Sequence, residues 1–284
     1  MDKIKDIINN ADGIMILSGA GMGVDAGIPD FRGKSGLWTA EKDNFIKFSS
    51  GNAWHERPLE AWNFYIERFI SCEKLKPHDG YYVLKNLLDS LEKDTYVMTS
   101  NVDGHFEKAG YDVEKIYTIH GDLKNIQCSS KCCRDIHPMP LFTKLLDSLD
   151  EAPHCQKCGS VMRPLVMMFN DPWFVTTNVD TQASSCLDWM STKKNIVGIE
   201  IGAGLAVPSL RIYGEERTQT LIRINPHDFE IHRPQDIAIE ASAIDGIDTL
   251  MNIMLHDVLN SLLIRAKKEY SELQELIEQI NERK

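Results

Sequence analysis

The sequence predicts an α/β fold, a doubly wound parallel sheet with a smaller cysteine-bearing and helical domain inserted in its chain order. Three observations carry the prediction. Apolar segments that read as buried strands alternate with segments of helical period, the pattern of a parallel sheet covered on both faces. The motifs with ligand chemistry follow those strands directly, at the carboxyl edge where open α/β sheets bind. Five of the seven cysteines fall within residues 128–158, a metal-site pattern and not a distributed disulfide framework.

The bulk properties bound the function. A chain of 284 residues can bury one large domain, or one domain with a smaller appendage. Its net charge of −11 argues against a nucleic-acid partner, which would need a basic face. The charge suits a cationic partner such as a lysine-bearing peptide, and serves solubility as well. No apolar run approaches the roughly 20 residues that span a membrane. Met1-Asp2-Lys3-Ile4-Lys5 lacks the apolar core of a secretory signal, so a cytoplasmic location is expected.

Ile4, Ile7, Ile8 and Ala11 recur at helical spacing over residues 3–12, with Gly13 as a stop. Ile14 to Leu17 reads as a buried strand that breaks into Gly19-Ala20-Gly21-Met22-Gly23-Val24. Such glycines let the backbone turn and approach a ligand, with N–H groups free for phosphate oxygens. The dinucleotide fingerprint is incomplete, because its third glycine would stand at Val24. No second strand with an acidic end follows about 20 residues on, as a dehydrogenase would require. Ile28-Pro29-Asp30-Phe31-Arg32-Gly33 comes instead, a stiffened loop with an anion, an aromatic ring and a cation.

Gly19-Ala20-Gly21 with Gly27-Ile28-Pro29-Asp30-Phe31-Arg32 resembles the signature of the sirtuins, NAD-dependent protein deacylases. The resemblance implies a Rossmann-like sheet, NAD as cofactor and an acyl-lysine protein or peptide as substrate. It assigns Gly19, Ala20, Gly21, Val24, Asp30, Phe31 and Arg32 to the cofactor.

Residues 34–77 are rich in aromatics, from Trp38 and Phe45 through Trp54 and Trp62 to Phe69, and predict helices that cover the cleft or simply fill a core. A further helix starts at His78, and Tyr96 to Thr99 is a short strand. It ends in Ser100-Asn101-Val102-Asp103-Gly104. Taken alone, Asn and Asp after a strand are as well read as a helix cap. The sirtuin pattern here is Thr-Gln-Asn-Ile-Asp, and it assigns Ser100, Asn101, Val102 and Asp103 to the nicotinamide-ribose end of NAD. Ser100 replaces the glutamine and is too short to reproduce its contacts.

Ile116 to Gly121 reads as a strand ending in His120-Gly121. His120 stands at the family's His-Gly position, which makes it the expected general base, and a histidine can accept a hydroxyl proton near neutral pH. Cys155-x-x-Cys158 has the spacing of a zinc knuckle, and Cys128 with Cys132 or Cys133 supplies a looser partner pair. Cys132 is preferred, with Cys133 left open. Four thiolates leave no open coordination position, so one structural zinc per chain is expected. Leu141 to Leu146 predicts a short helix packed on this module. Met162 to Met168 is expected to return the chain to the main sheet. Arg163, Pro164 and Phe169 follow the family's peptide-pairing segment, but Asn170-Asp171-Pro172-Trp173 departs from its Phe-Gly-Glu and implies a different acyl rim.

Asn195 to Ile201 reads as a central strand ending in Gly202-Ala203-Gly204, where sirtuins carry Gly-Thr-Ser. Backbone N–H contacts to the cofactor can persist there without the hydroxyls. Leu221 to Asn225 is the next strand, and the resemblance gives Asn225 the adenosine ribose. The stretch from Ile237 to Ile247, with Ile244, corresponds to the family's adenine loop. Ser100, Ala203 and Gly204 cannot make the side-chain hydrogen bonds of the full pattern. NAD should therefore bind one to two orders of magnitude more weakly than to that pattern, at about 0.5–1.5 kcal/mol per hydrogen bond. From His256 to Lys284 an amphipathic helix repeats Leu259, Leu262, Ala266, Tyr270, Leu273, Ile277 and Ile280, a seam for the chain's own core or for a homo-oligomer.

The expected division is residues 1–33, 78–120 and 162–255 for the NAD domain, 34–77 for the helical cover, 121–161 for the zinc module and 256–284 for the terminal helix. The resemblance implies an NAD-dependent protein-lysine deacylase that releases nicotinamide and O-acyl-ADP-ribose, with catalysis by His120, Asn101 and Asp103. Two alternatives remain open. One is an ADP-ribosyltransferase or NAD hydrolase on the same scaffold; the other is a non-enzymatic zinc-stabilised interaction module.

Overall fold

A computed structural model describes residues 2–29 and 47–256, together with 266–268, 270 and 274. Asp30, Phe31, Arg32, Trp38, Phe45 and most of the expected terminal helix lie outside the described residues.

Helix α1 (Asp2–Asn9) buries Ile4 and Ile8, and strand β1 (Gly13–Ser18) is buried along its whole length. Along β1, Ile14 and Ile16 enter one core cluster while Met15 and Leu17 enter another. Both faces of the strand are therefore covered, which is why it reads as a continuous apolar run. The other strands of the main sheet are β2 (Thr95–Thr99), β3 (Ile116–Thr118), β7 (Ile196–Ile201), β8 (Thr220–Ile224) and β9 (Ile237–Ile239). They are ordered β3-β2-β1-β7-β8-β9, and all neighbours run parallel. The order reverses between β1 and β7, the switch point at which a doubly wound sheet opens a crevice beyond its strand ends.

Short helix α2 (Gly21–Val24) leaves β1, and α3 (Ala53–Glu56) and α4 (Pro58–Lys74) follow. Helix α5 (Asp79–Ser90) is capped by His78, whose Nδ1 accepts from the Gly80 N–H at 3.0 Å. The other ring nitrogen must then carry the proton, and it donates to the Met22 carbonyl at 2.8 Å, tying α5 to α2. Helix α6 (His105–Lys108) follows β2. Helices α7 (Thr177–Ser191) and α8 (Ser209–Arg217) precede β7 and β8, and α9 runs over residues 243–256. Among the described residues no helix is long and apolar enough to cross a membrane.

A second, antiparallel sheet is ordered β5-β4-β6, from β4 (Gly121–Cys128), β5 (Ile136–Pro138) and β6 (Met162–Val166). It corrects the expectation that residues 162–168 rejoin the main sheet: Met162 pairs with Cys128, and Val166 with Gly121. The physical reason lies in packing: Met162 and Val166 are buried with Leu123 and Ile126 of β4 and with the aromatic helices, in a core separate from those of the main sheet. The strand expected over 116–121 is likewise split, β3 ending at Thr118 and β4 starting at Gly121. Gly121 has φ +77°, and a Cβ there would lie 2.0 Å from the Leu165 carbonyl, so the crossing between sheets requires glycine.

The helix expected over 141–146 is absent. Leu141 is 88% exposed, and Asn63 on α4 takes both main-chain groups of Leu146, its Oδ1 accepting from the N–H at 2.8 Å and its Nδ2 donating to the carbonyl at 3.1 Å. Trp54, Trp62, Phe64, Tyr65 and Phe69 share one core with Leu123, Ile126, Met162, Val166 and Met168. The aromatic helices and the small sheet thus pack as one body.

Candidate functional site

The site is assembled where β1 and β7 end. A Cβ on Gly19 would stand 2.5 Å from the Gly202 carbonyl, and one on Gly21 would stand 2.7 Å from the Gly202 Cα. The Gly19 N–H donates to Ile201 O at 2.9 Å, and the Gly21 N–H to Gly202 O at 3.0 Å. These two N–H groups, expected from the sequence to face phosphate, are spent instead on locking two turns together. Glycine is needed because backbone meets backbone. The N–H groups of Ala20, Ala203 and Gly204 have no partner among the described residues. Unpaired N–H groups at a switch point suit the pyrophosphate of a dinucleotide, so the turns fit NAD. Val24 faces outward on α2, 45% exposed.

Strand β2 brings the next group. The Thr99 hydroxyl donates to Ser18 O at 3.0 Å and accepts from the Asn101 N–H at 3.0 Å. The Asn101 Nδ2 then donates to Gly19 O at 2.9 Å, which fixes its amide against the glycine turn. Ser100 is half-buried and holds Ser18 O through its own N–H at 3.0 Å. Val102 packs on the small domain's core. Asp103 Oδ1 accepts from the His105 N–H at 2.8 Å, which closes the turn that starts α6. Burial raises the Asp103 carboxyl above its ordinary value, with the nearby His105 pulling the other way.

His120 lies at the crossing between the sheets. Its carbonyl accepts from the Met167 N–H at 2.8 Å, and the preceding N–H, of Ile119, holds Thr99 O at 2.9 Å. Burial lowers the ring's pKa below 6.5, and a hydrogen bond to the Ser100 main chain opposes the shift. A ring that is neutral at pH 7 with one nitrogen engaged is oriented as a proton acceptor.

Asn225, at the end of β8, is buried, and its side chain is largely committed. Nδ2 donates to Ala203 O at 3.1 Å, while Oδ1 accepts from the N–H groups of His227 at 3.0 Å and Asp228 at 2.9 Å. Only its second Nδ2 proton remains for a ribose hydroxyl, less than the resemblance implies. The Ile244 N–H donates to Asp25 Oδ2 at 3.0 Å, which joins the start of α9 to the end of α2. Glycine turns, Asn101, Asn225 and Ile244 therefore form one connected lip. Asp30, Phe31 and Arg32 lie outside the described residues.

The segment after β6 is organised by a buried ion pair. Arg163 Nη2 donates to Asp171 Oδ2 at 2.5 Å, with both side chains almost fully buried. Asp171 also accepts from the N–H groups of Met168 at 3.3 Å and Trp173 at 3.2 Å. Asp171 is therefore an internal counter-ion and not part of the expected acyl rim. Phe169 is 50% exposed, and its main chain pairs with Ser49 and Gly51.

Cys128, Cys132, Cys155 and Cys158 form a separate centre, their sulfurs all within 4.8 Å of one another. The 128–132, 128–158 and 132–155 separations are 3.6, 3.6 and 3.5 Å. Zinc–sulfur bonds of about 2.3 Å place tetrahedral ligands about 3.8 Å apart, so the four thiols fit one zinc ion. Cys132 is thus favoured over Cys133, whose sulfur lies outside the four-sulfur cluster. Lys131 (φ +50°) and Gly159 (φ +76°) make the two knuckle turns. Four thiolates leave no open coordination position, so the role of this centre is structural.

Comparison with known proteins gives a consistent result. The sequence model described as the Sir2 family matches residues 19–207. An NAD-dependent protein deacetylase of Caldivirga maquilingensis is 28% identical over 251 residues, covering 87% of this chain and 90% of that protein. An NAD-dependent protein deacylase of Aquifex aeolicus is 26% identical over 236 residues, covering 82% and 92%. The crystal structure of a Sir2 homolog–NAD complex superposes with a TM-score of 0.69 at 24% identity, covering 90% of this chain and 94% of that one, a likeness of fold.

Proposed function

The chain belongs to the Sir2 family, and from that premise we propose that it is an NAD-dependent protein-lysine deacylase releasing nicotinamide and O-acyl-ADP-ribose. The observation that carries the reading is the union, at the switch point, of the two glycine turns with Asn101 and His120. Bound NAD supplies an electrophilic ribose carbon, and nicotinamide is its leaving group.

The chain's own residues divide the remaining work. Asn101, held on Gly19 O, and Asp103 orient the nicotinamide ribose. His120, kept neutral by burial, takes a ribose hydroxyl proton after the acyl oxygen has been engaged. The turns at Ala20 and Ala203–Gly204 hold the phosphates through main-chain N–H groups, and Asn225 gives one N–H to the adenosine ribose. Phe169, half-exposed beside the Ser49–Gly51 strand pairing, borders the acyl-lysine segment of the protein substrate. The zinc centre holds the small sheet in register and takes no part in the chemistry.

The reading extends to a cytoplasmic setting, in which the seven free cysteines stay reduced. The deciding experiment incubates the purified protein with NAD and acyl-lysine peptides and follows nicotinamide release. Release that requires the peptide supports deacylation; no NAD consumption with any peptide overturns it.

A further inference from the structure

Arg211 carries its charge inside the protein and spends it on main-chain oxygens. It lies on α8 at 5% exposure. Nη1 donates to Ala203 O at 3.2 Å and to Asp228 O at 2.6 Å, and Nη2 donates to Glu230 O at 3.4 Å. The Ala203 oxygen also accepts from Asn225, so both of its lone pairs are used. Asp228 Oδ2 in turn accepts from the Leu205 N–H at 3.3 Å. These bonds close a ring between the loop after β7 and the loop after β8, with the guanidinium at its centre. Glu200, 3.7 Å away, opposes the charge and is itself gripped by both arms of Arg223, at 2.6 and 3.1 Å. Ala203 and Gly204 offer no polar side chain that could fix this loop from within.

We propose that Arg211 is a positioning residue for the cofactor, clamping the Ala203–Gly204 main chain from behind so that its N–H groups are already in place for NAD. The inference rests on the reading of this chain as an NAD-binding enzyme. A loop fixed beforehand loses less conformational freedom on binding, so the clamp acts on affinity. The guanidinium lies behind the loop and bonds only main-chain oxygens and Glu200 there, so the steps after NAD has bound do not depend on it.

The test is calorimetric titration of NAD into wild type, Arg211→Met, Arg211→Lys and Asp228→Ala, alongside steady-state turnover of an acyl-lysine peptide. Arg211→Met keeps the aliphatic stem and leaves Glu200 paired with Arg223. Its Kd and KM for NAD should rise about tenfold while kcat at saturating NAD stays within about twofold. Arg211→Lys should recover part of the affinity, because an ammonium donates to carbonyls but lacks the forked reach. Asp228→Ala cuts only the Leu205 tie; an expected loss of two- to threefold keeps the proposal testable if Arg211→Met folds poorly. A purely structural role would lower the active fraction and kcat and leave KM unchanged, and that result overturns the proposal, as does unchanged NAD affinity in both Arg211→Met and Asp228→Ala. Wild type that fails to bind NAD overturns the parent reading; wild type that binds NAD beside unaffected variants overturns the Arg211 inference alone.

Discussion

Gly202 faces Gly21 so closely that a Cβ on Gly202 would lie 2.5 Å from two main-chain atoms of Gly21. Gly202 also has φ +63°, a conformation that costs an L side chain about 1 kcal/mol before any clash. Gly202→Ala should therefore force the β1 and β7 turns apart. A loss of about 2 kcal/mol or more in urea unfolding is expected, together with weaker NAD binding by calorimetry. Unchanged stability and affinity would show that the two turns are not a single unit.

His120→Ala or His120→Phe should abolish acyl-lysine turnover and leave NAD binding largely intact, because the proton acceptor acts after the cofactor docks. The sign of the pH effect follows from burial. The folded pKa lies below that of the free imidazole, so the neutral form holds at pH 7 and kcat/KM falls as pH drops through the lowered value. The same group contributes stability above pH 6.5 that is lost as pH falls, since the unfolded chain binds its proton first. A pH–rate profile whose acidic limb persists unchanged in His120→Ala would remove His120 as the base.

The Arg163–Asp171 pair gives a stability prediction. Asp171→Ala leaves a buried guanidinium unpaired, at a cost of about 3–5 kcal/mol. The double change Arg163→Met with Asp171→Leu should recover much of that loss, because it removes both charges. Chemical denaturation of the three variants checks this, and an Asp171→Ala cost under about 1 kcal/mol would contradict the pairing.

In the zinc centre, Cys132→Ser and Cys155→Ser should lose stoichiometric metal and lower the unfolding temperature, because metal binding and folding of a small module are coupled. Cys133→Ser should retain both, its sulfur lying outside the four-sulfur cluster. Elemental analysis of the purified variants reads the result, and severe loss in Cys133→Ser alone would reassign the fourth ligand.

Much of this was legible in the chain. The continuous apolar runs of β1 and β7 reflect burial on both faces, and the ligand motifs stand at strand ends because the sheet is parallel. The two cysteine pairs were legible from their spacing, but the choice of Cys132 over Cys133 was not, and it rests on the four-sulfur cluster. Two misreadings have one cause, namely that pairing depends on what lies across in space. Met162–Val166 reads like a main-sheet strand, and only its partner β4, distant in sequence, decides its antiparallel pairing. Leu141 and Leu146 have helical character, but Asn63, distant in sequence, claims the Leu146 main chain. The Arg211 clamp was missed although a signal existed. Glu200 and Arg223 interrupt two apolar strands with opposite charges, and they stand directly opposite in the sheet. A charged pair in two buried strands points to a polar network beneath the site.

Mass spectrometry of the products formed from NAD and a panel of acyl-lysine peptides decides between deacylation and ADP-ribosyl transfer. Deacylation yields nicotinamide, O-acyl-ADP-ribose and deacylated peptide in equal amounts, dependent on the peptide and lost in His120→Ala. Transfer of labelled ADP-ribose to protein with no deacylation of any peptide would contradict it and establish the transferase reading.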